Sequence, residues 1–94
     1  MDNHQPSVNG LALRKDTVSG IAKDTFSAIG AVDYSVDNTP WIPVSPTDRI
    51  FDETEEAFSF DLPTGLSKGP HALAVRAYDR GGNMGIAELN FTVK

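Results

Sequence analysis

The feature that most constrains this chain is a pair of alternating runs near its end. His71, Leu73, Val75 and Ala77 alternate with Ala72, Ala74, Arg76 and Tyr78; Ala87, Leu89, Phe91 and Val93 then alternate with Glu88, Asn90 and Thr92. A period of two sends successive side chains to opposite faces of a strand, so each run reads as half-buried. The intervening Asp79 to Gly85, DRGGNMG, has the glycines of a hairpin connection, which makes the two runs antiparallel neighbours. A lone hairpin is marginal in water, so the rest of the chain must supply strands to cover its apolar face.

Strand signals recur upstream at spacings of about ten residues, with turn residues between them, which favours a sandwich or barrel. Leu11 to Leu13 reads as a short first strand. Val18, Gly20 and Ala22 alternate with Thr17, Ser19 and Ile21 in a second, which ends at Lys23 and Asp24. In Ala28 to Val36, Val32, Tyr34 and Val36 share one face and Asp33 and Ser35 the other, before a turn at Asp37 and Asn38. Trp41, Ile42 and Val44 are interrupted by Pro40, Pro43 and Pro46, so this segment reads as an edge strand at best. Ser45 to Glu56 is polar and acidic around Ile50 and Phe51, and reads as a loop pinned by that pair. Phe58, Phe60 and Leu62 alternate in the next strand. No segment keeps a helical period for three turns.

The expected core has two inward faces. Val18, Ala22, Phe58, Phe60 and Leu62 belong to one sheet; Val32, Tyr34, Val36, Leu73, Val75, Ala77, Leu89, Phe91 and Val93 belong to the other. This is the pattern of an all-β Greek-key sandwich of about seven strands. Residues 1–7 read as a tail or linker and residues 8–94 as one domain, since 94 residues leave no room for a second core.

Composition narrows the function classes. Thirteen acidic against eight basic residues give a net charge of −5, which opposes the counterion release that drives nucleic-acid binding. No apolar run approaches the roughly 18 residues of a membrane span, and Met1 to Pro6 lacks the regions of a signal peptide. No membrane insertion is expected. With no cysteine in the chain, disulfides and thiolate chemistry are excluded.

Leu66 to Asp79, LSKGPHALAVRAYD, resembles the approach to strand F of fibronectin type III domains, with His71 where that family usually has its corner tyrosine. The wider pattern resembles bacterial immunoglobulin-like modules: VSGIAKD at 18–24, IGAVDYSVD at 29–37, Trp41, Phe58 to Leu62, Gly69 to Asp79, and Gly82 with Asn83. The resemblance runs from residue 17 onward. It implies an immunoglobulin-like, fibronectin type III-like sandwich acting as a non-catalytic spacer or docking domain of a larger bacterial protein, secreted, periplasmic or on the cell surface. The implied partners are neighbouring domains of the same polypeptide or another protein, with the isolated domain a monomer.

The residues able to carry chemistry are few. The two imidazoles are His4 in the tail and His71, which points inward and reads as a corner histidine with a ring nitrogen bonded to backbone. No catalytic triad and no cofactor site are expected. Asp48, Asp52, Glu53, Glu55 and Glu56 supply carboxylates, yet glycoside hydrolysis needs two acids flanking a cleft, and no cleft is expected in so small a sandwich. The cluster reads as a solvated acidic loop that guards the adjacent strand edge. Asp48, Asp52 and Glu53 are the positions suited to calcium, a hard cation needing oxygen ligands, although their spacing matches no EF-hand loop. Asp79 and Asn83 are expected to hold the hairpin, with Gly81, Gly82 and Gly85 at positive φ. Trp41 and Tyr78 are the candidates for stacking on a carbohydrate. Tyr78 alternates outward, whereas Trp41 is expected to pack beneath the acidic loop against Ile50 and Phe51. Three readings follow: a structural or interaction module first, then a carbohydrate-binding module, then a calcium-stabilised adhesion repeat.

Overall fold

The structure, a computed structural model, describes residues 6–24, 28–44 and 54–94. Among these, seven strands form two antiparallel sheets. The strands are β1 (Ser7–Arg14), β2 (Thr17–Lys23), β3 (Ile29–Val36), β4 (Ile42–Val44), β5 (Glu55–Asp61), β6 (Gly69–Asp79) and β7 (Met84–Val93). One sheet has the order β1-β2-β5 and the other β4-β3-β6-β7. The chain crosses between sheets after β2, β4 and β5, as a Greek-key sandwich requires.

The alternation in the sequence becomes the division between core and surface. Val18, Ala22, Phe58 and Leu62 project from the three-stranded sheet against Ile29, Val32, Tyr34, Val36, Val44, Leu73, Val75 and Ala77 of the other. Tyr34 and Phe60 stack across the two layers with ring centroids 4.1 Å apart. Each fully buried side chain of the size of Phe58, Ile29 or Leu73 contributes about 1.5–3 kcal/mol. Leu89 and Phe91 are only partly buried against this core, because β7 is an edge strand.

Turn chemistry sets the register. Asp37 and Asn38 both have positive φ, 53° and 62°, the pattern of a I′ turn, which asparagine and aspartate tolerate better than most residues. Thr39 N–H closes this turn by donating to the Val36 carbonyl at 3.1 Å. In the β6–β7 hairpin Asp79 Oδ1 accepts from the backbone N–H of Asn83 at 2.8 Å, and Oδ2 from its side-chain amide at 3.1 Å. The expected hairpin role of Asp79 and Asn83 is therefore observed.

Three sequence expectations change. The first strand is not the short Leu11–Leu13 but runs from Ser7 to Arg14; a bulge between Asn9 and Ala12, with Gly10 at φ +64°, breaks its period and hid it. The strand after the acidic segment starts at Glu55, inside the stretch read as loop, and Glu56 is buried rather than solvated. Of Gly81, Gly82 and Gly85, only Gly82 has positive φ, +87°. Gly85 is required for another reason: a Cβ there would collide with the backbone carbonyl of Pro6, which crosses β7 at that point. The anticipated packing of Ile50 and Phe51 lies outside the described residues.

Candidate functional site

The outer face of the four-stranded sheet carries the most organised surface chemistry. Register places Pro43, Asp33, Arg76 and Ile86 in one row across β4, β3, β6 and β7, and Ala31, Tyr78 and Met84 in the next row. Arg76 donates from Nε to Asp33 Oδ1 at 2.8 Å and from Nη2 to Oδ2 at 2.7 Å, a bidentate pair that fixes the guanidinium plane. These bonds to the Asp33 carboxylate raise the Arg76 pKa further. The guanidinium carbon lies 3.6 Å from the centroid of the Trp41 ring and 5.3 Å from that of Tyr78, within the range of cation–π attraction.

Trp41 is thus exposed rather than buried. It is 36% exposed, just ahead of β4, with its ring against Arg76. The sequence could not assign its face, because prolines at 40 and 43 interrupt the alternation that would have done so. Around the cluster Met84 is 38% exposed and Ile86 53%. Rings, a fixed guanidinium and apolar side chains therefore share one face. The residue missed by sequence reasoning is Arg76; Asp33 and Arg76 on outward faces of two strands were the available signal.

His71 closes the sandwich between β6 and the turn after β3. Its Nδ1 is 2.5 Å from Asp37 Oδ2 and its Nε2 is 2.7 Å from the Ser67 carbonyl oxygen. Both ring nitrogens face acceptors, so both act as donors when the ring is an imidazolium. The bond to Ser67, then the bond to Asp37, raise the His71 pKa. The Asp37 pKa is lowered by the backbone N–H of Ala72, which donates to Oδ1 at 2.8 Å, and by His71. The inward corner histidine is observed, with its ring stacked on Phe91 at 5.4 Å. Through these two bonds the ring ties β6 to the turn after β3 and to the Ser67 backbone.

Asp48, Asp52 and Glu53 lie outside the described residues. Among those described, no group of three or more acidic, histidine or cysteine side chains is arranged to hold a metal ion. At the end of the sandwich opposite the Asp79 hairpin there is a cleft of about 830 Å³, lined in part by Leu13, Leu62, Leu66 and Phe91. The expectation that so small a sandwich has no cleft is corrected. Its Asp61 accepts a hydrogen bond from Thr17 Oγ1 at 2.8 Å. No described helix is long and apolar enough to cross a membrane.

The architecture defines an immunoglobulin-like β-sandwich. No protein-family profile matches the chain, and no curated protein matches it in sequence. Solved structures do. The PKD1 domain of the Vibrio cholerae metalloprotease PrtV superposes with a TM-score of 0.62 at 13% identity, over 96% of this chain and 98% of that one. The archaellum periplasmic stator protein FlaG of Sulfolobus acidocaldarius gives 0.60 at 13% identity, over 92% and 99%. The sulfane dehydrogenase SoxCD of Paracoccus pantotrophus gives 0.58 at 25% identity, over 72% of this chain and 17% of that one. The chain therefore spans only a small part of the SoxCD chain. The likenesses are of fold.

Proposed function

We propose that this chain is a non-catalytic docking or spacer module of a larger bacterial extracellular or cell-envelope protein. Its contact surface is the outer face of the β4-β3-β6-β7 sheet, and its occupant is a neighbouring domain of the same polypeptide. The observation that carries the reading is Arg76, locked by Asp33 and stacked on Trp41, between Tyr78, Met84 and Ile86. Trp, Tyr and Arg are the residue types that dominate interface energetics. Arg76 is already ordered, so docking would forfeit little side-chain entropy at that position. The likeness to 17% of the SoxCD chain and to the PKD1 domain of a metalloprotease supports a module that works within longer chains.

Carbohydrate binding is the second reading, because Trp41 and Tyr78 flank Arg76 on one face. The guanidinium occupies one face of the Trp41 ring, which disfavours that ring as a sugar platform. Thermal unfolding of the domain with calcium, with EDTA and with a panel of polysaccharides separates the readings, since a ligand of the native state raises the midpoint by mass action. The docking reading predicts a midpoint indifferent to all three. A rise with a polysaccharide would replace it with the carbohydrate reading, and a rise with calcium with the adhesion-repeat reading based on Asp48, Asp52 and Glu53.

A further inference from the structure

The connection between β5 and β6 ends in a short segment, Leu66 to Lys68, set between two glycines at positive φ, Gly65 at +82° and Gly69 at +117°. A Cβ at either glycine would meet nothing within 4 Å, so both stand clear of the packing and their backbones can turn without a clash. Leu66, partly buried against the core, and the bond from His71 Nε2 to the Ser67 carbonyl hold the segment to the sandwich. Leu66 and Phe91 both line the cleft, and the His71 ring stacks on that of Phe91. The histidine that ties β6 to the turn after β3 thus also fixes one wall of the cleft.

What the ring does on losing its proton follows from its two acceptors. A neutral imidazole has a single N–H. Nδ1 faces the Asp37 carboxylate at 2.5 Å, and Nε2 faces the uncharged Ser67 carbonyl at 2.7 Å. The remaining proton stays on Nδ1, because a hydrogen bond to a charged acceptor is the stronger one and a bare Nδ1 would point its lone pair at the carboxylate. Nε2 is then left as an acceptor against an acceptor, and the two repel. His71 is buried, so water bridges them only if the Ser67 backbone moves away.

We infer that Leu66 to Lys68 is a strap on the wall of the cleft, latched by the His71 imidazolium through Ser67 and released when the ring becomes neutral. Of the elements packed around the ring, the turn after β3 faces it with the Asp37 carboxylate, the strap with the Ser67 carbonyl, and β7 with the uncharged ring of Phe91. Among the described residues the charge that acts on His71 is that of Asp37. The bonds to Ser67 and then to Asp37 raise the His71 pKa above 6.5, so the strap is closed at mildly acidic pH and opens as pH rises through the raised value. This device is separate from the outer face of the four-stranded sheet, and it stands or falls independently of docking there.

The test is an NMR titration of the whole domain, with ring and backbone read in the same samples. Ring nitrogen shifts give the His71 midpoint and tautomer, and relaxation gives the order parameters of the backbone amides. As the ring titrates, order parameters of Leu66, Ser67 and Lys68 should fall from about 0.85, the value of rigid backbone, to about 0.6 or below, while those from Arg80 to Asn83 hold. The neutral ring should keep its proton on Nδ1. Asp37→Asn should bring the loss of order to lower pH together with the His71 midpoint. His71→Phe, which keeps an aromatic ring without the hydrogen bond, should leave the strap mobile at every pH; should that variant fail to fold, the wild type and Asp37→Asn decide the matter. Order parameters at 66–68 that stay unchanged once the ring is fully titrated would overturn the inference. So would a neutral ring protonated on Nε2, or a loss of order that does not follow the midpoint in Asp37→Asn.

Discussion

The Arg76 guanidinium lies 3.6 Å from the centre of the Trp41 ring, on the outward side of a sheet whose opposite side is the core. The contact joins a residue ahead of a proline-broken edge strand to one in the middle of a central strand, and Asp33 holds it in place from a third.

Arg76→Lys should therefore not behave as a conservative change, because an ammonium can reproduce neither the bidentate bond nor the planar stack. The expected loss of stability is about 1 kcal/mol, in the range for partly exposed ion pairs and cation–π contacts. Trp41 is the chain's single tryptophan, so its fluorescence reports this contact alone, and acrylamide quenching should increase. Unchanged quenching would mean that Arg76 does not cover the ring.

Protonation of His71 should appear as a pH dependence of stability with a definite sign. Its pKa is raised by Ser67 and Asp37 above the usual 6.5. The folded state therefore binds the proton more tightly, and this contribution is fully present below about pH 6.5 and lost as pH rises through the raised value. The Asp37 pKa is lowered from 3.8, so its contribution is present above that value and lost as pH falls through the lowered one. The clamp is strongest between the two. NMR titration should place the His71 midpoint above 6.5, Asp37→Asn should bring it down, and urea midpoints of that variant should decline less at alkaline pH. A His71 midpoint at or below 6.5 would refute the imidazolium assignment.

The two hairpin glycines should fail for different reasons. Gly82→Val places a β-branched residue at φ +87°, with an expected cost of about 1–2 kcal/mol. Gly85→Ala puts a methyl into the Pro6 backbone and should displace the chain ahead of β1, seen as NMR shifts at Pro6 and Ser7 that Gly82→Val does not produce.

Core substitutions should follow burial. Leu73 is 1% exposed, so Leu73→Ala should cost about 2–5 kcal/mol. Phe91 is only partly buried, and Phe91→Ala should cost less per area removed. Urea denaturation gives both values, and the reverse order would place β7 deeper in the core than described.

Strands with an unbroken period of two were legible because each has one dry and one wet face: β2, β6 and β7 fall where the alternation of Val18, Val75 and Leu89 places them, and β3 was legible from Val32 to Val36, past its bulge between Ile29 and Ala31. β1 was not, since its bulge shifts the pattern by a residue. Part of the site could be read in the same way. Tyr78 faces outward and His71 inward as the alternation implies, but the carboxylate partners of His71 and Arg76 lie 34 and 43 residues away. Such pairs depend on strand register and turn geometry, which local sequence determines only jointly with the rest of the fold.

The docking account is tested most directly by a photo-reactive benzoylphenylalanine at Ile86 in the native polypeptide, with Ile21, exposed on the other sheet, as the control position. The account predicts a cross-link from Ile86 that maps to one site on a neighbouring domain, weakens with Arg76→Ala, and is absent from Ile21. Cross-linking from Ile21 alone, or none from Ile86, would contradict it.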